Sequence, residues 1–243
     1  MTTYQGEHSI IFGDKHTWDD WFLIPSSRPV FKPPEPKTTY YDIPGADGHL
    51  DMSTALTGDI PYKNRTGSIE FIVDNGHKDW HELYSEIMDY LHGQKMRAIL
   101  TDDMSFYYEG RFAVNEWKSD PDNSKITIDY DVHPYKFEML SSLEDWKWDP
   151  FNFEVDIVRE YGYLTVDGSL TVNIPGRRKN VTPSIEVHSY LGDDCPTVSF
   201  NGTTYSLSLG TNKIVNIILK EGNNTLTFNG RGVISIDYRG GRL

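Results

Sequence analysis

A single cysteine, Cys195, stands in a chain of 243 residues. One thiol closes no internal disulfide, so a bridge-stapled scaffold is excluded and a chain folded in a reducing cytoplasm is expected. Long apolar runs are missing too. At a mean hydropathy of -0.53, nothing approaches the roughly 18–20 apolar residues that cross a bilayer, and no membrane contact is expected. The opening residues, Met1-Thr-Thr-Tyr-Gln-Gly-Glu, carry neither a basic leader nor an apolar segment, so no signal peptide is read there. Positive charge is scarce: 23 Lys and Arg face 36 Asp and Glu, a net charge of -13. Such a surface repels phosphate backbones, which argues against nucleic-acid binding. The deficit is uneven. Residues 1–138 hold 24 acidic and 13 basic side chains, a net of -11, along with seven of the eight histidines. A shift of this kind near the middle fits two domains of different character.

Catalytic and cofactor signatures are also lacking. No G-x-S-x-G, Walker A, G-x-G-x-x-G or EF-hand loop occurs. His77 and His81 stand four apart on a helical stretch, within reach of one metal, but the third ligand and the HExxH order are missing, so a solvated helix face is the better reading. The pairs Asp19-Asp20, Asp102-Asp103 and Asp193-Asp194 are adjacent residues, which on a strand point to opposite faces and make no ready acid/base couple. Cys195 precedes Pro196 with no motif around it and reads as a loop or half-buried side chain. The sequons at Asn64, Asn180, Asn201 and Asn223 matter only in a secreted chain. No enzyme, metal or cofactor is expected; a glycoside hydrolase using Asp and Glu is the residual enzymatic reading.

What the chain has in abundance is aromatic residues, 13% of the total, a mark of strand-rich cores or of an interaction surface. An aromatic-acidic stretch, Thr17-Trp-Asp-Asp-Trp-Phe-Leu-Ile, leads into Pro29, Pro33, Pro34 and Pro36. Prolines at that density forbid a helix or a central strand and favour an extended arm. A short strand over Thr38–Ile43, the turn Pro44-Gly-Ala-Asp-Gly and a polar stretch to Arg65 follow, read as a long loop or ragged hairpin with a job. Gly67–Val73 reads as a strand. Then Trp80, Leu83, Tyr84, Ile87, Met88 and Leu91 recur at helical spacing, which predicts a helix over about 77–92, capped by Asp74 or Asn75 and ended by Gly93. Strands are expected at Met96–Thr101, Tyr107–Trp117 and Lys125–Val132, making an α+β unit dominated by antiparallel sheet.

A boundary is placed near 139–145, giving domains 1–138 and 139–243. Beyond it the texture is short strands separated by turns: Phe151–Val158, Leu164–Val166, Ser169–Ile174, Ser184–Val187, Thr197–Phe200, Thr203–Leu207, Lys213–Leu219, Thr225–Asn229 and Val233–Tyr238. Asp167-Gly168, Pro175-Gly176, Asn201-Gly202, Gly222-Asn223 and Asn229-Gly230 are the turn signals. The pattern is that of an all-β sandwich.

Several strings carry a resemblance. Thr17-Trp-Asp-Asp-Trp, Ile43-Pro-Gly-Ala-Asp-Gly, the helix Lys78-Asp-Trp-His-Glu-Leu-Tyr-Ser-Glu-Ile-Met-Asp-Tyr-Leu-His-Gly, Tyr108-Glu-Gly-Arg-Phe and Pro134-Tyr-Lys-Phe-Glu resemble the N-terminal domain of the distal tail proteins (Dit) of siphophages and prophages of Gram-positive bacteria. Trp146-Lys-Trp-Asp-Pro-Phe-Asn-Phe-Glu, Asn173-Ile-Pro-Gly-Arg-Arg, Phe200-Asn-Gly-Thr-Thr-Tyr, Glu221-Gly-Asn-Asn-Thr-Leu-Thr-Phe and Ser235-Ile-Asp-Tyr-Arg-Gly-Gly-Arg-Leu are similar to the same family's C-terminal domain.

The resemblance implies a mainly β protein: an N-terminal β-sandwich with one helix and an extended hairpin, and a galectin-like or carbohydrate-module-like C-terminal sandwich. It implies a homohexameric ring at the virion tail tip, stacked on the major tail-tube protein and carrying a tail-associated lysin, tail fibre or receptor-binding protein, with DNA only passing through the channel. The candidate subunit or partner contacts are Trp18, Trp21 and Phe22 in the aromatic stretch, Pro33 and Pro34 in the arm, and Asp47, Leu56, Tyr62 and Arg65 in the long loop. Candidates for sugar or fibre contact are Trp146, Trp148, Arg177 and Arg178. A module recognising cell-wall polysaccharide through the C-terminal sandwich is the alternative.

Overall fold

A computed structural model describes residues 8–56, 58–74, 79–118, 124–143, 160–192 and 195–243. The protein is mainly β and divides into two compact units, Met1–Lys136 with Leu243, and Phe137–Arg242.

The first unit is an antiparallel sheet with a helix on it. Its elements are β1 (Ile10–Phe12), β2 (Lys15–His16), β3 (Leu23–Pro25), β4 (Tyr40–Asp42), β5 (His49–Asp51), β6 (Arg65–Val73), α1 (Trp80–Leu91), β7 (Lys95–Leu100), β8 (Phe106–Lys118) and β9 (Lys125–Val132). The main sheet runs β2-β1-β7-β8-β9-β6-β3, while β4 and β5 pair only with each other. Period-two alternation turns Ile126, Ile128, Tyr130 and Val132 of β9 inward with Ile69, Phe71 and Val73 of β6. Leu83, Ile87 and Leu91, four residues apart on α1, bury the helix face against this core. Gly110 sits where β8 meets β9. A Cβ there would lie 2.2 Å from the carbonyl oxygen of Asp131, so only glycine fits.

The helix starts later than its apolar spacing predicts. Asp79 is the cap: its carboxylate accepts from the amides of His81 at 3.0 Å and Glu82 at 3.3 Å. Asp74 lies before this start, and Asn75 falls outside the described residues. Gly93 does end the helix, with φ +74.

β10 (Lys136–Glu138) spans the boundary residues. The second unit holds β11 (Leu164–Gly176), β12 (Ser184–Tyr190), β13 (Thr197–Phe200), β14 (Thr203–Ser206), β15 (Gly210–Lys213), β16 (Gly222–Asp237) and β17 (Gly241–Arg242). Its sheet runs β14-β13-β16-β12-β15, with β11 along β16. Val172, Ile174, Val187, Leu226, Phe228, Ile234 and Ile236 form its core.

Two expected pairs of short strands are each one long strand. Leu164–Val166 and Ser169–Ile174 merge into β11, and Thr225–Asn229 and Val233–Tyr238 merge into β16. The reason is that the two turn signals face each other: Gly168 pairs directly with Gly230, at φ +83 and +127, so the ladder passes through a shared kink. Asn201-Gly202 is a true two-residue turn, joining β13 to β14 at φ +47 and +79. The expected strand Lys213–Leu219 is not one; β15 ends at Lys213, and Leu219 makes only an isolated bridge to Val181. Phe151–Val158 lies outside the described residues.

Candidate functional site

The arm grows out of the first unit's core. Its root is tied down by Phe31, which is 2% exposed and packs on the rings of Tyr108 at 4.2 Å and Tyr130 at 4.8 Å. The Lys32 amide donates to the Tyr130 hydroxyl at 2.9 Å. Arg28 Nε donates to Asp102 at 2.9 Å, and His8 Nδ1 meets the same carboxylate at 2.8 Å. Burial of Asp102 opposes its ionisation, but the hydrogen bonds from His8 and Arg28 outweigh that and hold the carboxyl below its ordinary range.

Beyond the root the chain goes out and returns as a ribbon. Pro36 bridges Tyr62, the Lys37 amide donates to the Pro61 carbonyl and the Lys63 amide to the Glu35 carbonyl, both at 2.8 Å. β4 and β5 continue it in the register Tyr40↔Asp51, Tyr41↔Leu50 and Asp42↔His49. The tip turns through Gly45 and Gly48, both at positive φ. Every residue of β4 and β5 is exposed. Large apolar side chains on the ribbon stand open: Tyr40 at 53%, Tyr41 at 58%, Leu50 at 48%, and, past the end of β5, Leu56 at 99%. A two-stranded ribbon alone is marginal in water, and this one leaves its apolar surface uncovered by the rest of the described chain. Side-chain order comes from His49, tilted against Tyr40 at 5.4 Å between ring centres and 3.1 Å from Asp42, and from Ser53, which accepts from the Thr39 amide at 2.9 Å.

The candidate contact residues fall into three groups. Asp47, Leu56 and Pro33 are exposed, and Pro34 and Tyr62 half-buried, all on the arm; Tyr62 lies edge-on to Tyr135 at 6.1 Å. Trp18 and Phe22 are half-buried and edge-to-face at 6.2 Å. Trp21 and Arg65 are not surface groups. Trp21 is fully buried beside Phe12 and Tyr90, because its stretch folds into the sheet at β3 and does not project. Arg65, 5% exposed, is a clamp: its guanidinium donates to the carbonyls of Pro134 at 2.8 Å and Lys32 at 3.1 Å and lies 5.5 Å from the Tyr108 ring centre. Burial pushes this guanidinium below its ordinary value, while Tyr108 and Tyr130 oppose the shift.

In the second unit the basic cluster is engaged internally. Arg177 Nε donates to Glu138 at 2.8 Å, with side chains 15% and 6% exposed, and Lys179 sits 4.2 Å from the Phe137 ring. Arg178 is exposed, 3.7 Å from Glu221. Trp146 and Trp148 lie outside the described residues. His81 is exposed on α1, and its neighbour His77 lies outside them as well. Sequence reasoning missed Tyr40, Tyr41 and Leu50 as contact candidates. Their signal was there in an aromatic pair ahead of a Pro-Gly turn, but nothing in the sequence said that both faces of the strand would be open.

This fold of two mainly antiparallel units is similar to that of a solved phage protein. That protein is SPP1 Dit (gp 19.1), described as a paradigm of hub adsorption apparatus in phages that infect Gram-positive bacteria. The match has a TM-score of 0.60 and 14% identity, covering 97% of this chain and 99% of that one. At that identity, what is shared is the fold. No family model and no curated protein sequence matches the chain.

Proposed function

We propose that the protein is a non-enzymatic structural hub of a phage tail tip, of the distal tail protein kind. Six copies close into a ring, each copy's ribbon over residues 36–62 lying on its neighbour. The ring stacks on the tail-tube protein on one side and receives a tail-associated lysin, fibre or receptor-binding protein on the other. The observation that carries this reading is the ribbon itself, rooted rigidly by Phe31 and Arg28 and exposing Tyr40, Tyr41, Leu50 and Leu56. Closed rings need contacts in which one patch meets a different patch on the neighbour, and an outreaching ribbon supplies such a patch. Likeness of fold to a hub adsorption protein over 97% of the chain supports it further. The acidic excess of residues 1–138 suits the wall of a channel that DNA traverses without adhering. Negative-stain microscopy of the purified protein tests the ring: six-fold annular particles support it, and isolated particles of single-chain size at every concentration oppose it.

A further inference from the structure

One face of the second unit's sheet differs from the rest of the surface. Along β14, β13, β16 and β11 the inward positions are apolar, as the buried Val198, Leu226, Phe228 and Val172 show. Over three successive rungs the outward positions hold only hydroxyls and amides, and beyond them the ion pair of Arg231 with Asp167, at 3.2 Å, closes the patch. A central rung crosses all four strands through Thr204, Ser199, Thr227 and Thr171, each opposite the next. Ser199 Oγ lies 2.8 Å from Thr204 Oγ1, and Thr171 Oγ1 lies 3.3 Å from Thr227 Oγ1. On one side of this rung Thr225 donates to Asn173 at 2.9 Å. On the other, Ser206, Thr197, Asn229 and Ser169 continue the pattern. No charged side chain interrupts these rungs, in a chain of which 24% is charged and whose net charge is -13.

The face ends in an open cleft of about 610 Å³, where Ser199, Thr225 and Thr227 meet Asn201 and Asn223 from the flanking turns, with the oppositely charged Lys220 and Glu221 also in its lining. Ile218, 39% exposed, provides an apolar patch within it.

We propose that this face and cleft bind an uncharged saccharide chain. Each serine or threonine hydroxyl both donates and accepts, and each asparagine amide does the same with two atoms, which is what a sugar's own donor-acceptor hydroxyls require. The rungs orient one another in advance, so less order is lost on binding. Strands about 4.8 Å apart repeat the groups as a lattice, which suits a repeating ligand. A protein partner would call for exposed aromatic or arginine anchors; the three rungs hold none, and Arg231 at their edge is tied to Asp167. Lys220 and Glu221, which both line the cleft, offset each other in charge, so nothing there favours an acidic polymer.

Full-length protein with labelled threonine methyls tests this by NMR titration with neutral oligosaccharides, namely gluco-, galacto-, rhamno- and N-acetylglucosamine hexamers, and with a hyaluronan hexamer as acidic control. Shifts confined to Thr171, Thr204, Thr225 and Thr227, with a Kd below about 10 mM for at least one neutral member and none for hyaluronan, are expected. The pair Thr225→Val and Thr227→Val keeps the β-branch and strand preference while removing two exposed hydroxyls, and is expected to weaken binding at least about tenfold at unchanged melting temperature. Absence of shifts with every neutral hexamer at about 10 mM, shifts mapped elsewhere, or affinity unmoved by the double substitution overturns the proposal. Ring formation, read from particle mass, is a separate measurement and stands or falls by itself.

Discussion

Arg65, Asp102 and Asn224 show how single side chains fix the protein's loops. Replacing Arg65 with methionine fills the space but strands the carbonyls of Pro134 and Lys32 in a buried site, and the expected loss is about 3 kcal/mol of stability in urea unfolding of the first unit. Asp102 gives a pH dependence. A carboxyl whose folded-state pKa is depressed stabilises the fold above its ordinary value, and that contribution is lost as pH falls through the depressed one. The ties of Arg28 and His8 to Asp102 are therefore in place at neutral pH and are lost only as pH falls through the depressed value, below the ordinary aspartate value of about 3.9. Hydrogen exchange around Arg28 is expected to rise on acidification in the wild type. In Asp102→Asn it is expected to be raised already at neutral pH, and a variant as protected as the wild type would contradict the tether. Asn224, 9% exposed, ties three carbonyls with its amide, those of Ile174, Lys220 and Gly222. Asn212 repeats the arrangement with Ile185, Ser208 and Gly210.

At the scale of elements, the helix and the strands of the first unit follow from short-range pattern. The apolar spacing from Trp80 to Leu91 marks α1, and alternation marks β9 to the residue. The cap was illegible because Asp74, Asn75 and Asp79 offer the same chemistry and only tertiary placement chooses among them. Asp79→Ala is expected to cost about 1 kcal/mol in thermal or urea unfolding. In the second unit, glycine turn signals misled where Gly168 pairs with Gly230 across a kink, since a turn and a kink ask for the same positive φ. Gly110 is legible only in three dimensions. Gly110→Ala drives a methyl into the Asp131 carbonyl and is expected to cost about 3 kcal/mol or to prevent folding, visible as loss of soluble protein. For the candidate site, the extended arm and its turn were readable from proline and glycine, whereas burial was not. An aromatic beside a strand edge reads alike whether it is core, as Trp21 is, or open, as Tyr41 is.

At the scale of the whole molecule, each unit packs its own core, and the ribbon contributes little to either. Exposed side chains of β4, β5 and Leu56 can then be changed without harm to folding, since surface substitutions away from special features usually stay within about 0.5 kcal/mol. The central claim is that this ribbon exists to join copies of the chain. Sedimentation of the wild type beside the paired substitutions Tyr41→Asp and Leu56→Asp tests it most directly. The wild type is expected to run at six times 27.9 kDa, and the variant at 27.9 kDa with an unchanged melting temperature. A wild type that stays at the single-chain mass at all concentrations, or a variant that still assembles, contradicts the account.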